Sequence, residues 1–366
     1  MRATDIAEGI TNYVVNWAKV KKGENIVIVP DSLANPMVVD LIAYTARQQG
    51  ANVVVSWIDY NPRQTQGGGP IISSGLRGAD KVLRMNFALS HDRGTTSAIQ
   101  DHGVTMYAVA NPTPEFFASE AARFPVDLTL AILKKTLQKV WATKYSTVRV
   151  SDKRGTDVTA KGFACDWGGD FQNSAFKWDV MGVYPRTFPG AITGLVPPME
   201  GNGVAYFDAY SGIGLCPNLL KVTYQDGRLV HAEGGIEAEK LKQMLKGIPG
   251  ANVHCEIMFG LNPKVRSNAP VDQKPIPNEA ERRAGTLHMG TGNRPMWGAV
   301  WEAMKDVPKP YRDSHLDGFI LKPTVHVNGE PIIEDGHLLI LEDPEVREFA
   351  KKFGDPDELL KEAGPA

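Results

Sequence analysis

Asn25-Ile-Val-Ile-Val-Pro30, Asp31-Ser32, a helical run from Pro36 to Gln49 stopped by Gly50, and Ala51-Asn-Val-Val-Val-Ser-Trp57 together decide the fold of the N-terminal part. The two short apolar, β-branched runs read as buried strands. Asp31 or Ser32 can cap the helix between them, and Gly50 can end it. Upstream, Ile6, Ile10, Val14, Val15 and Ala18 fall at helical spacing over residues 6–20, before the stop signal Lys22-Gly23. Downstream, Lys81-Val-Leu-Arg-Met85 and Thr105-Met-Tyr-Ala-Val-Ala110 continue the alternation. The expectation is an open α/β domain over residues 1–143, with a mainly parallel sheet covered by helices.

The pattern changes after a helix expected over residues 128–142. Val148-Arg-Val-Ser, Val222 to His231 with Asp226-Gly227 at its middle, and Thr324 to Glu330 with Asn328-Gly329 near its end read as short strands separated by hairpin turns. Residues 144–366 are therefore expected to form a larger α+β domain rich in antiparallel strands. One helix, Ile236–Leu245, interrupts it before Gly247. Asp343-Pro and Asp355-Pro announce two short helices in the tail. Gln66-Gly-Gly-Gly-Pro70 is expected to be a loop; no Gly-Lys-Ser/Thr follows it, so it does not read as a phosphate cradle.

The 366 residues exceed what one core usually fills, which also favours two domains. With 40 basic and 42 acidic side chains the formal charge is −2, and no basic excess points to nucleic acid or an anionic membrane surface. Small molecules or short peptides are the expected partners. Cys165, Cys216 and Cys255 form no Cys-x-x-Cys pair and are odd in number, so neither a disulfide framework nor a zinc knuckle is implied. With no apolar signal core at Met1-Arg-Ala-Thr, a reducing, cytoplasmic setting is expected.

The chemistry is expected in the second domain. In His315-Leu316-Asp317, residues i and i+2 of an extended chain share a face, which makes an imidazole–carboxylate pair suited to zinc, iron(II) or manganese. Glu256 follows His254-Cys255 and precedes Ile257-Met-Phe-Gly-Leu. It thus enters an apolar environment, where an unpaired carboxylate is costly and a cation would offset the cost. His288 sits in Gly285-Thr-Leu-His-Met-Gly-Thr-Gly292, whose glycines allow close backbone approach. Each feature alone also reads as a surface pair, a salt-bridged glutamate or a core histidine; their succession favours one divalent ion. The aromatic stretch Trp167, Phe171, Phe176, Trp178, Tyr184 and Phe188 reads as packing, or as the wall of an apolar pocket.

Glu256-Ile-Met-Phe-Gly-Leu-Asn-Pro263, Gly285-Thr-Leu-His288-Met-Gly and His315-Leu-Asp317, in that order, resemble the C-terminal signature of the aminopeptidase T metallopeptidases. The framework is also similar to the 2,5-dihydroxypyridine 5,6-dioxygenase branch of the same superfamily. Pro198-Met-Glu-Gly-Asn-Gly and Glu233-Gly-Gly-Ile-Glu-Ala-Glu239 resemble segments of that branch, and Ala88-Leu-Ser-His91 resembles the stretch carrying its first-domain active-site histidine.

The resemblance implies a metalloenzyme whose ion is held by Glu256, His288, His315 and Asp317, with His91 as a first-domain active-site histidine, Glu200 as the counterpart of a further peptidase glutamate ligand, and a homo-oligomer; Glu200 or His91 could act as general base if it reaches a bound water. Three departures stand out. Glu256 occupies the position of one dioxygenase histidine, and Pro295 stands where the peptidase pattern has a tyrosine. A second histidine of the dioxygenase pocket falls near Thr187. The first expectation is accordingly a metal-dependent hydrolase of a small amide or cyclic substrate. The second is an iron(II) ring-cleaving dioxygenase, and the third a ligand-binding protein that has kept the scaffold without catalysis.

Overall fold

The computed structural model describes residues 1–60, 69–85, 102–109, 112–140, 145–163, 186–195, 201–248, 250–266, 280–292 and 315–364. The chain divides into two compact units, Met1–Thr129 with Phe176–Gly190, and Leu130–Ala175 with Ala191–Ala366. The α/β unit with a parallel sheet and the larger antiparallel unit expected from the sequence are both present.

The first unit holds strands β1 (Asn25–Val29), β2 (Asn52–Val55), β3 (Lys81–Arg84) and β4 (Thr105–Val109). After β5 (Tyr145–Ser151) and β6 (Asp157–Phe163) of the second unit, the chain returns with β7 (Arg186–Phe188). All neighbours in the order β2-β1-β3-β4-β7 are parallel. The first helix, Ala3–Thr11, continues as a π-helical turn over Asn12–Trp17, and Ile6, Ile10, Tyr13 and Val14 are fully buried on it. Asn12 can lie inside because its amide donates to the carbonyls of Ala122 (2.8 Å) and Phe124 (2.9 Å).

Phe188, the end of the aromatic stretch, is core: its ring lies 5.5 Å from Tyr13, 5.7 Å from Trp17 and 6.0 Å from Phe116. The other five aromatics of that stretch lie outside the described residues. One expectation is corrected. A helix, Gly69–Leu76, begins inside the stretch expected to be a loop. Pro70 is compatible with a first helical turn, where its missing N–H costs nothing, and Ser73 and Leu76 are buried.

The second unit adds β8 (Ala191–Leu195), β9 (Asn202–Tyr210), β10 (Gly214–Gln225), β11 (Arg228–Glu233), β12 (His254–Gly260) and β13 (Leu287–Gly292). It ends with β14 (His315–Ile320), β15 (Thr324–Val327), β16 (Glu330–Glu334) and β17 (His337–Leu338). The order is β11-β10-β9-β14-β13-β12-β8-β6-β5-β15-β16-β17, with an added pairing of β9 to β6. That pairing closes β9-β14-β13-β12-β8-β6 into a ring of antiparallel neighbours.

The two hairpin turns form as their residues require. Asp226 and Gly227 have φ of 48° and 67°, and Asn328 and Gly329 have 51° and 87°, the left-handed pair of a type I′ turn. Asp343 and Asp355 cap the tail helices Pro344–Ala350 and Pro356–Leu359, accepting from Glu345 N and Asp357 N. No helix among the described residues is long and apolar enough to cross a membrane.

Candidate metal centre

Three adjacent strands of the ring, β12, β13 and β14, carry the four expected ligands. Register places Glu256, Gly290 and Asp317 in one row across them. The next row toward one side holds Met258, His288 and Phe319; toward the other, Gly292 stands opposite His315. Residues two apart share a face, so the rows form a grid with Gly290 at its centre, surrounded by Glu256, His288, His315 and Asp317.

Gly290 is needed here for space. A Cβ on it would stand 3.0 Å from Glu256 Cβ, 3.1 Å from Asp317 Oδ1 and 3.2 Å from His315 Cε1. The missing side chain is what lets the surrounding groups converge.

They converge closely. His288 Nε2 lies 3.5 Å from Glu256 Oε1 and 3.8 Å from Asp317 Oδ1. His315 Nε2 lies 3.4 Å from Glu256 Oε2 and 3.1 Å from Asp317 Oδ1. The cluster is buried: His288 and Asp317 are each 3% exposed, Glu256 is 4% exposed, and the His315 side chain is 7% exposed. The His288 ring packs on Phe319, 5.3 Å between centroids. Asp317 is pinned through its backbone, its N–H donating to Ser211 Oγ (3.0 Å) and its carbonyl accepting from Ser211 N (2.8 Å).

The electrostatics follow from two imidazoles and two carboxylates sharing one buried space. Burial alone would push the Glu256 carboxyl up, but His288 and His315 beside it bring it far below the usual carboxylate range. Burial likewise opposes ionisation of Asp317, and the charges of His315 and His288 outweigh it and lower its pKa. For His315 and His288, burial favours the neutral ring, yet the Asp317 and Glu256 carboxylates raise both, His315 strongly.

No group of three or more His, Cys, Asp or Glu among the described residues is spread in the arrangement of a ready ion site; these four close on one another as ion pairs. Three observations nevertheless fit a small divalent cation. The donors are two imidazole nitrogens and two carboxylates, a set that zinc, manganese and iron(II) accept. Asp317 Oδ1 is buried and, although 3.1 Å from His315 Nε2, makes no well-directed hydrogen bond among the described residues, so the carboxylates are not fully satisfied by the imidazoles. The 3.1–3.8 Å separations also bracket the roughly 3.4 Å between ligands on a tetrahedral ion with bonds of about 2.0–2.2 Å.

His254, which alternates with Glu256 in the sequence, is not in this group. Cys255 is an extra residue at a register shift between His254 and Glu256, and His254 instead lies against the Tyr224 ring, 5.0 Å between centroids. The bulge brings Cys255 Sγ to 3.9 Å from His315 Nδ1, behind the ligand nitrogen. The expected proton-transfer residues His91 and Glu200 lie outside the described residues, as does Pro295.

Sequence reading missed two further buried groups. Glu281 and Arg282, on a short 3-10 turn, Ala280–Arg282, are 5% and 6% exposed and paired at 3.0 Å through Glu281 Oε2 and Arg282 Nη2. Arg282 Nη1 also donates to the sulfur of Met258, 3.5 Å away, and Met258 occupies the row beside His288.

Two solved structures share this fold. The 2,5-dihydroxypyridine dioxygenase from Pseudomonas putida KT2440 superimposes with a TM-score of 0.68 over 94% of this chain and 99% of its own, at 15% identity. AmpT from Thermus thermophilus matches with a TM-score of 0.58 over 92% and 98%, at 16% identity. At such identities the likeness is one of architecture. No protein-family model and no curated protein sequence matches the chain.

Proposed function

We infer that the protein is a divalent-metal-dependent hydrolase acting on a small amide or cyclic substrate, with Glu256, His288, His315 and Asp317 holding the ion. The observation that carries this reading is the convergence of two carboxylates and two imidazoles around Gly290, in a buried space that their own contacts do not fully satisfy. When bound, a divalent ion would polarise a substrate carbonyl and bring the pKa of a bound water towards about 7.

The chain's own work is to present the donors. The Ser211 contacts hold the Asp317 backbone, Phe319 backs the His288 ring, and Cys255 stands behind His315 Nδ1, leaving Nε2 towards the carboxylates. Proton transfer is assigned to His91 or Glu200, each a general base if it reaches the bound water. The AmpT likeness supports this reading at the level of fold.

One observation favours a second reading. His288 brings a second imidazole to the cluster, so that His288, His315 and Asp317 supply the two-histidine, one-carboxylate set of non-heme iron oxygenases even with glutamate at 256. The dioxygenase is the fold neighbour with the larger TM-score of the two.

Elemental analysis of anaerobically purified protein, followed by substrate screening with and without oxygen, separates the readings. Hydrolysis predicts metal-dependent cleavage of amides, lactams or cyclic diketones without oxygen uptake. Ring cleavage predicts iron(II)-dependent oxygen uptake with 2,5-dihydroxypyridine. A protein that binds no divalent ion, and whose ligand affinity survives Glu256→Ala and His315→Ala, is neither enzyme.

A further inference from the structure

Arg282 is an unusual residue to bury. A guanidinium carries five N–H donors and keeps its charge at any physiological pH. Here it is 6% exposed, and its side-chain partners among the described residues are one carboxylate oxygen of Glu281 at 3.0 Å and the Met258 thioether at 3.5 Å. A thioether is a weak acceptor, and Arg282 Nε is buried with no hydrogen-bond partner among the described residues. A buried charge so sparsely matched is costly unless something else completes it.

Its position says what that is. Met258 lies two residues beyond Glu256 on β12, on the same face, and pairs in register with His288. Through Met258, Arg282 therefore reaches the ligand face of the sheet, in the row next to that of Glu256. The Glu281 carboxyl beside it is electrostatically in reach of His288, Asp317 and Glu256; burial raises its pKa and Arg282 opposes the rise.

Resting on the metal-centre reading, we propose that Arg282 is the anion-recognition residue of the site. Its guanidinium takes the carboxylate of a small substrate whose reacting group lies at the Glu256, His288, His315 and Asp317 cluster. The oxyanion displaces the thioether at Nη1, putting a charge-assisted hydrogen bond in place of a weak contact. The substrate class narrows accordingly to small molecules bearing a carboxylate at the far end from the group at the ion.

The test uses full-length protein loaded with Zn²⁺ and two probes of equal length, the monohydroxamate of succinic acid and its terminal amide. Both offer the same chelating end to the ion and differ only in the far charge. Zn²⁺ affinity is measured first, by calorimetry, and then the affinity for each probe. Wild-type protein should prefer the carboxylate about ten- to a hundredfold, the range of a charge-assisted contact. Arg282→Gln should bring that ratio to about one while Zn²⁺ affinity stays within about threefold of wild type.

Because Arg282→Gln leaves Glu281 buried without its partner, the double variant Glu281→Gln/Arg282→Gln provides the same comparison with no charge left unpaired. A wild-type ratio near one, or a preference that persists in both variants, overturns the assignment and leaves the metal centre standing. Failure of wild-type protein to take up Zn²⁺ removes the metal-centre reading and this proposal with it.

Discussion

Gly290→Ala adds one methyl group at the centre of the ligand grid, and its consequences can be worked from the distances. The new Cβ would lie 3.0 Å from Glu256 Cβ, 3.1 Å from Asp317 Oδ1 and 3.2 Å from His315 Cε1, each a few tenths of an ångström inside the 3.4 Å of an ordinary contact. Gly290 is not among the residues with positive φ, so alanine fits its backbone. The strand gains about 0.5–1 kcal/mol from the lost glycine flexibility, and overpacking costs about 1–3 kcal/mol. The ion-free protein should thus be destabilised by about 0–2.5 kcal/mol and remain folded.

The ion senses the change more sharply. Ligand distances tolerate about 0.2 Å, so shifting three donors by that much or more should weaken Zn²⁺ or Mn²⁺ binding about ten- to a hundredfold. The matched control is Gly329→Ala in the Asn328-Gly329 turn. It meets nothing within 4 Å but has φ of 87°, so it costs about 1–2 kcal/mol and should leave ion affinity unchanged. Competition against a chromogenic chelator reads both. Equal ion affinity in wild type and Gly290→Ala would falsify the view that the groups around Gly290 close on a common ion.

Three further outcomes follow from the same geometry. His315→Ala leaves Glu256 and Asp317 buried with one imidazole between them and should destabilise the ion-free protein by about 3–5 kcal/mol in urea unfolding; a change below about 1 kcal/mol would mean that the cluster is wet. In ion-free protein the carboxylates' contribution is present above their ordinary 4.5 and 3.8 and is lost as the pH falls through their lowered folded values. The imidazoles' contribution is complete below 6.5 and fades as the pH rises through their raised folded values, so Tm should decline on the alkaline side and Zn²⁺ should abolish that decline; an alkaline limb unaltered by Zn²⁺ speaks against the assignment. Phe188→Ala removes a fully buried ring from the first unit and should cost about 3–5 kcal/mol without altering ion affinity, which calorimetry and urea unfolding check together.

The sequence carried most of the fold because its signals are local. Ile26, Val27 and Ile28 between a polar turn and a helix start leave few readings, although Asn35, accepting from Met37 N, caps that helix in place of the expected Asp31 or Ser32; Asp226-Gly227 and Asn328-Gly329 select their turns through two left-handed residues each. What escaped has no local signal. β7 is three residues long and joins the first sheet across a long excursion of the chain through the second unit. Its placement depends on Phe188 meeting Tyr13, Trp17 and Phe116, which no periodicity reports. The helix at Gly69 was hidden by the glycines before it, which read as a loop whatever follows.

The site divides along the same line. His315 and Asp317 were legible because alternation on a strand puts them on one face, and β14 keeps that alternation unbroken. The same rule applied to His254-Cys255-Glu256 misleads: Cys255 is an extra residue, and one extra residue in a strand turns everything before it to the opposite face. Glu256 thereby stays with the ligands, His254 goes to Tyr224, and Cys255 arrives behind His315. A bulge of this kind is set by how β12 must meet β13 and β8 at once, a constraint that lives in the closed ring of strands. Arg282 was invisible for a related reason. Nothing in Ala280-Glu-Arg-Arg283 distinguishes a buried arginine from a solvated one until the turn is laid against Met258, where its charge faces the same grid as the four ligands.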